Sequence, residues 1–184
     1  MRNRLRALPP RSVKLFEDGT DLLLFPPPRA GWAKRGQPAP APISGTNAKR
    51  VLFGALNSDT GHRVLLAREH QRGADFRAFL RLVRQRYRGR YVAVVLDEGS
   101  SHTAAASRAL AGELGIELLW LPKRSPRLNP VGHLWRHGKE VKCGNHQYGP
   151  IEEQVESFTE YLYSLTPEQA LLKAGALSDD FRIR

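Results

Sequence analysis

At 184 residues the chain is long enough to bury one hydrophobic core and short for two full domains, so a single domain over 1–184 is expected. Its 41% apolar and 26% charged residues fit an ordinary globular protein and exclude a disordered or fibrous one. Twenty-nine Lys and Arg against 18 Asp and Glu leave a formal charge of +11, which attracts polyanions, nucleic acid first, although a merely basic surface would carry the same charge.

In chain order, Val13–Phe16 and Asp21–Phe25 read as the arms of a hairpin turning at Asp18-Gly19-Thr20. The Pro-, Gly- and Ala-rich stretch Pro26–Thr46, around Trp32, reads as a long irregular connection of the kind that is functional or mobile. Val51–Leu56 and His62–Arg68 form a second hairpin. The period then changes to helical, with Phe76, Phe79, Leu80 and Val83 on one face and Arg77, Arg81, Arg84 and Arg86 between them. Tyr91–Leu96 and Ile116–Leu121 are unbroken apolar runs, the mark of strands buried on both faces, and the Ala-rich His102–Leu114 between them predicts a helix. Pro130–Val141, Ile151–Leu165 and Pro167–Ala174 complete the set, the last opening on Thr166-Pro167 as N-cap and first helical residue. Antiparallel strands followed by strand–helix–strand–helix give an α/β fold, a mixed sheet flanked by helices. That order matches the ribonuclease H-like fold, and on pattern alone another α/β fold stays open.

The longest apolar stretches, Leu22–Phe25 and Val92–Leu96, are far too short to span a bilayer, and the basic Met1–Arg6 is not followed by the apolar region of a signal peptide. The lone Cys143 excludes an internal disulfide and a multi-cysteine zinc site and suits a reducing compartment. A cytoplasmic chain with no membrane partner is expected.

Asp97 closes the run Val94-Val95-Leu96, followed by Glu98-Gly99, at the strand end where α/β proteins place their sites; capping the next turn is the structural alternative. Asp18 closes the first apolar run, before Gly19, where a turn-forming role is equally consistent. If the two strands are neighbours the carboxylates converge, and converging carboxylates repel unless a hard cation such as Mg²⁺ or Mn²⁺ lies between them. Downstream, Leu121–Pro130 is stiffened by Pro126 and Pro130, with Asn129 placed to cap a helix. Its cations Lys123, Arg124 and Arg127, with Arg136 beyond, suit a loop against phosphates or simply a solvated basic loop.

Leu-Pro-x-x-Ser-Pro-x-Leu-Asn-Pro-x-x-His-Leu-Trp at Leu121–Trp135, preceded by Leu96-Asp97 and His102, resembles the mariner-type superfamily of bacterial insertion-sequence transposases. Phe16-Glu17-Asp18-Gly19-Thr20 with Gly31-Trp32, and Val51–Leu56 with Thr60-Gly61, resemble further segments of that family, so the likeness covers roughly 13 to 141. The resemblance implies a ribonuclease H-like core in which three acidic residues hold two divalent metals, Mg²⁺ or Mn²⁺, about 3.5–4 Å apart, for in-line phosphoryl transfer on DNA. Asp18 and Asp97 match the first two acids. In the family the third follows after 34 intervening residues, which from Asp97 lands on Gly132.

Glycine supplies no oxygen and no charge. Glu140 lies two turns further along the expected helix, about 12 Å away, and Glu17 and Glu98 adjoin the aspartates on a strand whose neighbours point to opposite faces. Gly132 is therefore the position of a missing carboxylate. The resemblance also implies DNA, as transposon ends and target, for partner, and a homodimer for assembly. From their own charge and setting, Arg29, Trp32, Lys34 and Arg35 in the long connection and Lys123, Arg124, Arg127 and Arg136 are expected to touch DNA, and His102, matching a family histidine, to orient a phosphate or water. The family's helix-turn-helix module is expected to be absent ahead of Asp18. Three functional readings follow: transposase cleavage and strand transfer impaired at Gly132, an inactive DNA-binding descendant, and a nuclease or resolvase on the same fold.

Overall fold

Residues 92–96, apolar without alternation, form the strand at the heart of the molecule, and all five are buried because helices cover both faces of the sheet. The structure, a computed structural model, describes residues 2–27, 32, 34–37, 47–123, 125–178 and 181. Among these, α1 (Arg2–Arg6) precedes β1 (Val13–Leu23), β2 (Lys49–Asn57), β3 (Arg63–Arg68), α2 (Gly73–Arg86) and β4 (Val92–Leu96). Then come α3 (Ser100–Thr103), α4 (Ala105–Glu113), β5 (Ile116–Trp120), a 3-10 turn at Pro126–Leu128, α5 (Pro130–Lys142), α6 (Ile151–Ser164) and α7 (Pro167–Lys173). The sheet order is β3-β2-β1-β4-β5, with β1–β2 and β2–β3 antiparallel and β1–β4 and β4–β5 parallel. This is the mixed sheet flanked by helices that the sequence predicts.

Side chains leave a strand on alternate faces, and the two halves of the core follow that rule. Val13, Leu15, Phe53, Val92, Val94 and Leu96 pack on Phe76, Phe79, Leu80 and Val83 of α2. Phe16, Leu52, Leu56, Ala93 and Val95 pack on Leu134 and Trp135 of α5, Phe158 and Leu162 of α6, and Leu171 of α7. Each fully buried Phe or Leu contributes about 1.5–3 kcal/mol through the apolar area it removes from water.

Two expectations are corrected. Val13–Phe16 and Asp21–Phe25 are not a hairpin: β1 runs unbroken through Asp18-Gly19-Thr20, with Gly19 paired to Phe53. A Cβ at Gly19 would come within 2.8 Å only of the Gln71 amide nitrogen, the far end of a flexible side chain. The helix expected over His102–Leu114 is two, α3 and α4, broken at Ala104, whose ψ of 135° is extended. Ser107 holds the break by donating its hydroxyl to the Ser101 carbonyl at 2.7 Å. The short α1 has no clear sequence signal. Parts of the expected connection Pro26–Thr46, namely 28–31, 33 and 38–46, lie outside the described residues.

Candidate active site

The parallel pairing of β1 with β4 sets the register: Phe16 is opposite Val95, and Asp18 and Asp97 each lie two residues further along. Both share the sheet face that α5 covers, because Phe16 and Val95 belong to that half of the core. The two aspartates line a cleft of about 390 Å³ together with Leu121, Lys123 and Asn129. Asp97 is open to water, its side chain 65% exposed. Asp18 is more enclosed, and its carboxyl is pushed up from 3.8 to about 6, by burial first and by the Asp97 charge second. The Gly19 N–H, the Lys139 ammonium and the Trp135 indole N–H act in the opposite direction.

Asn129 fixes how α5 meets this pair. Its Oδ1 accepts the Val131 N–H at 3.2 Å, capping the helix that Pro130 begins, and its Nδ2 donates to the Glu17 carbonyl at 2.7 Å. The helix start is thus tied to the residue before Asp18. Gly132 consequently faces Asp18: a Cβ there would lie 3.8 Å from Asp18 Oδ2 and meet nothing else within 4 Å outside its own helix. The structure brings Asp18, Asp97 and Gly132 to one place. Among the described residues, no group of three or more His, Cys, Asp or Glu side chains gathers to hold a metal.

Gly54 and Trp135 complete this wall, and the sequence reading does not find them as site residues. Asp18 pairs across β1–β2 with Gly54, and a Cβ on Gly54 would fall 2.3 Å from Trp135 Cη2. Glycine in the middle of an apolar strand leaves room for that ring, and an isolated strand glycine is the signal for close approach.

On the opposite face sits a residue set aside on alternation alone. Glu17 does point away from Asp18, but into a closed space, 1% exposed. Its Oε2 lies 3.5 Å from His102 Nε2, while His102 Nδ1 lies 2.8 Å from Asp97 Oδ1 and 3.2 Å from the Asp97 carbonyl. Burial, then Asp18, then Asp97 push the Glu17 carboxyl well above the usual carboxylate range. His102, expected at DNA, is only 3% exposed, with its ring against Phe76 and its nitrogens turned to these two carboxyls.

The remaining expected DNA contacts lie at the surface. Lys123 is 83% exposed and 3.5 Å from Glu98. Arg127 is exposed, as is Arg136, whose Nη2 is 3.0 Å from His133 Nδ1. Trp32, Lys34 and Arg35 are exposed, whereas Arg29 and Arg124 lie outside the described residues. A further cleft of about 500 Å³ is lined by Thr20, Gly132, Trp135, Arg136 and Lys139. No helix among the described residues is long and apolar enough to cross a membrane.

Residues 14–153 match the family described as DDE superfamily endonuclease. Over 154 residues the chain is 25% identical to the "Insertion element IS630 uncharacterized 39 kDa protein" of Shigella sonnei, covering 83% of this chain and 45% of that one. The chain therefore spans less than half the length of that curated relative. The structure of the Mos1 transposase paired-end complex with left transposon end superposes with a TM-score of 0.72 at 21% identity, over 98% of this chain and 56% of that chain. The mariner Mos1 paired end complex with Mn gives 0.73 at 21%, with the same shares. The catalytic domain of Mos1 mariner transposase gives 0.64 at 16%, over 98% and 84%. These likenesses show the fold, that of ribonuclease H-like transposase catalytic domains. With most of its length matched, the chain belongs to the DDE superfamily endonuclease family.

Proposed function

We propose that the chain is a transposase-type core that binds DNA and holds a divalent cation, Mg²⁺ or Mn²⁺, between Asp18 and Asp97, with strand cleavage and transfer impaired by Gly132. The observation that carries this is the placement of Gly132, whose Cβ position lies 3.8 Å from Asp18 Oδ2 while the residue itself offers no oxygen.

The residues present suit one hard cation. Two carboxylates approach closely enough for Asp97 to raise the Asp18 carboxyl, and a cation between them removes that repulsion. They do not suit a metal pair held by three carboxylates, because position 132 contributes nothing. When bound, such a cation stabilises the charge that develops on phosphoryl oxygens during displacement. Lys123 and Arg127, before α5, and Arg136 on it hold the DNA backbone through its phosphates, with Trp32, Lys34 and Arg35 as further contacts. His102 leaves this set because its ring is buried. Support for DNA and for the metal comes from Mos1, whose structures include a complex with a transposon end and complexes with Mn and Mg. Transposon ends and target as substrates, and a homodimer as the acting form, follow from the family resemblance; sedimentation with and without DNA reads the assembly.

Nicking of supercoiled plasmid in Mg²⁺ and in Mn²⁺, by the chain and by Gly132→Asp and Gly132→Glu, tests the proposal. The unaltered chain should nick slowly and a restored carboxylate should accelerate it, with Asp18→Asn abolishing the gain. Nicking by the unaltered chain as fast as by Gly132→Glu refutes the impairment. A second reading, a DNA-binding descendant that no longer cuts, is favoured by the absence of any three-ligand group among the described residues. It prevails if neither substitution yields cleavage while DNA binding persists.

A further inference from the structure

A buried carboxyl is rare unless something faces it, and what faces Glu17 is His102. The histidine stands between two carboxyl groups, with Nε2 3.5 Å from Glu17 Oε2 and Nδ1 2.8 Å from Asp97 Oδ1. At Nδ1 both neighbours, Asp97 Oδ1 and the Asp97 carbonyl, are acceptors, so that nitrogen must carry the hydrogen. Glu17 supports this in either of its forms. Oε2 faces Nε2 at 3.5 Å without a formed hydrogen bond, as an acid turned toward a bare Nε2 or as a carboxylate turned toward Nε2–H. Nδ1–H stays on Asp97 in both.

Asp97 Oδ1 is held a second time, by the Gly99 N–H at 3.0 Å. A Cβ at Gly99 would lie 3.1 Å from both Asp97 Oδ1 and His102 Nδ1, so glycine there makes room for the histidine. The Phe76 ring, 4.5 Å away between centroids, packs against the imidazole. Both donors take the same carboxylate oxygen, and Oδ2 takes neither.

We infer that Glu17 and His102 are positioning residues: buried Glu17 holds the His102 ring, which ties down Oδ1 of Asp97 and leaves Oδ2 for a divalent cation. The cation half of this inference rests on the reading of Asp97 as a metal ligand. Buried partners of this kind govern ligand orientation, and removing them weakens metal binding about 10–100-fold.

The test uses the full chain, ¹⁵N-labelled for the His102 ring nitrogens, with Mn²⁺ titration followed by electron paramagnetic resonance. Glu17→Gln can still donate to Nε2, and should keep both the Nδ1–H signature and the Mn²⁺ affinity within about twofold of the parent. Glu17→Leu offers Nε2 nothing. Nδ1 keeps its hydrogen between its two acceptors, but the ring loses its far-side neighbour, so the Nδ1–H resonance should broaden and Mn²⁺ affinity should fall by about tenfold or more. His102→Phe keeps a ring against Phe76 but donates nothing to Asp97, and should weaken Mn²⁺ by the same factor. Unchanged Mn²⁺ affinity in folded Glu17→Leu or in His102→Phe overturns the inference, as does a bare Nδ1 in the parent chain. If the parent binds no Mn²⁺, the metal reading fails by itself. The nitrogen spectra then decide: an Nδ1–H resonance sharp in the parent and in Glu17→Gln but broadened in Glu17→Leu upholds the positioning pair, and an unchanged resonance in Glu17→Leu defeats it.

Discussion

Asp18 is ionised at neutral pH in a place that favours its protonated form, so removing its charge should stabilise the fold. Its carboxyl titrates near 6 in the folded chain against 3.8 as its ordinary value. Between those values the folded state binds the proton more tightly than the unfolded state does. Stability therefore falls as pH rises through that window, and the penalty is complete above it. At 1.36 kcal/mol per pKa unit, the displacement from 3.8 to about 6 is worth at most about 3 kcal/mol. Asp97, one source of the repulsion, lies largely in water, and screening reduces the expected figure to about 1–2 kcal/mol. Asp18→Asn keeps the shape and the acceptor for the Gly19 N–H. It should gain that amount at pH 7.5, and only a few tenths of a kcal/mol at pH 4, where the native carboxyl is already protonated. Urea unfolding at the two pH values measures the difference, and the melting temperature at pH 7.5 should rise by about 2–8 °C. A variant no more stable than the parent at pH 7.5, or one with equal gains at both pH values, would refute the reasoning.

Millimolar Mn²⁺ should raise the melting temperature of the parent chain at pH 7.5 and leave Asp18→Asn unmoved, since a ligand of the folded state stabilises it only if it binds; scanning calorimetry reads both. Asn129→Ala removes the cap of α5 and the bond to the Glu17 carbonyl in a buried setting, and should cost about 2–3 kcal/mol in urea unfolding. Lys123→Ala with Arg127→Ala should weaken DNA binding in fluorescence anisotropy across unrelated sequences and flatten the log–log salt dependence by about 0.9 for each phosphate no longer neutralised. Gly54→Ala forces a methyl to within 2.3 Å of Trp135 Cη2 and 2.9 Å of Leu65 Cδ2. Overpacking of that order should cost about 1–3 kcal/mol or more and alter the tryptophan emission.

What was legible in the sequence is what local patterns determine. The unbroken apolar run of β4, the hairpin of β2 and β3, and the Asn129-Pro130 start of α5 announce themselves within a few residues. The continuity of β1 does not, because Gly19 looks like a turn residue and its strand partner, Phe53, is distant in sequence. Alternation correctly set Glu17 on the face away from Asp18, yet whether that face is wet or buried depends on α2 and α3 packing over it. The breaking of the predicted helix at Ala104 likewise goes with a contact, the Ser107 hydroxyl on the Ser101 carbonyl, rather than with any propensity of an alanine run. Gly54 and Trp135 meet only through the sheet and α5, 81 positions apart in the numbering. The convergence of Asp18, Asp97 and Gly132 was expected from spacing within a recognised motif, and the register of β1 on β4 supplies its physical basis.

The tie from Asn129 to the Glu17 carbonyl holds the start of α5 in place whatever side chain stands at 132. Every glycine codon becomes an aspartate or glutamate codon by one change at its second base, the third base choosing between them. Because α5 is anchored by residue 129 and not by anything at 132, the backbone needs no compensating change to receive the new side chain. A gene encoding this chain therefore stands a single transition from presenting a carboxylate beside Asp18, and selection could act on that step without first rebuilding the helix that carries it.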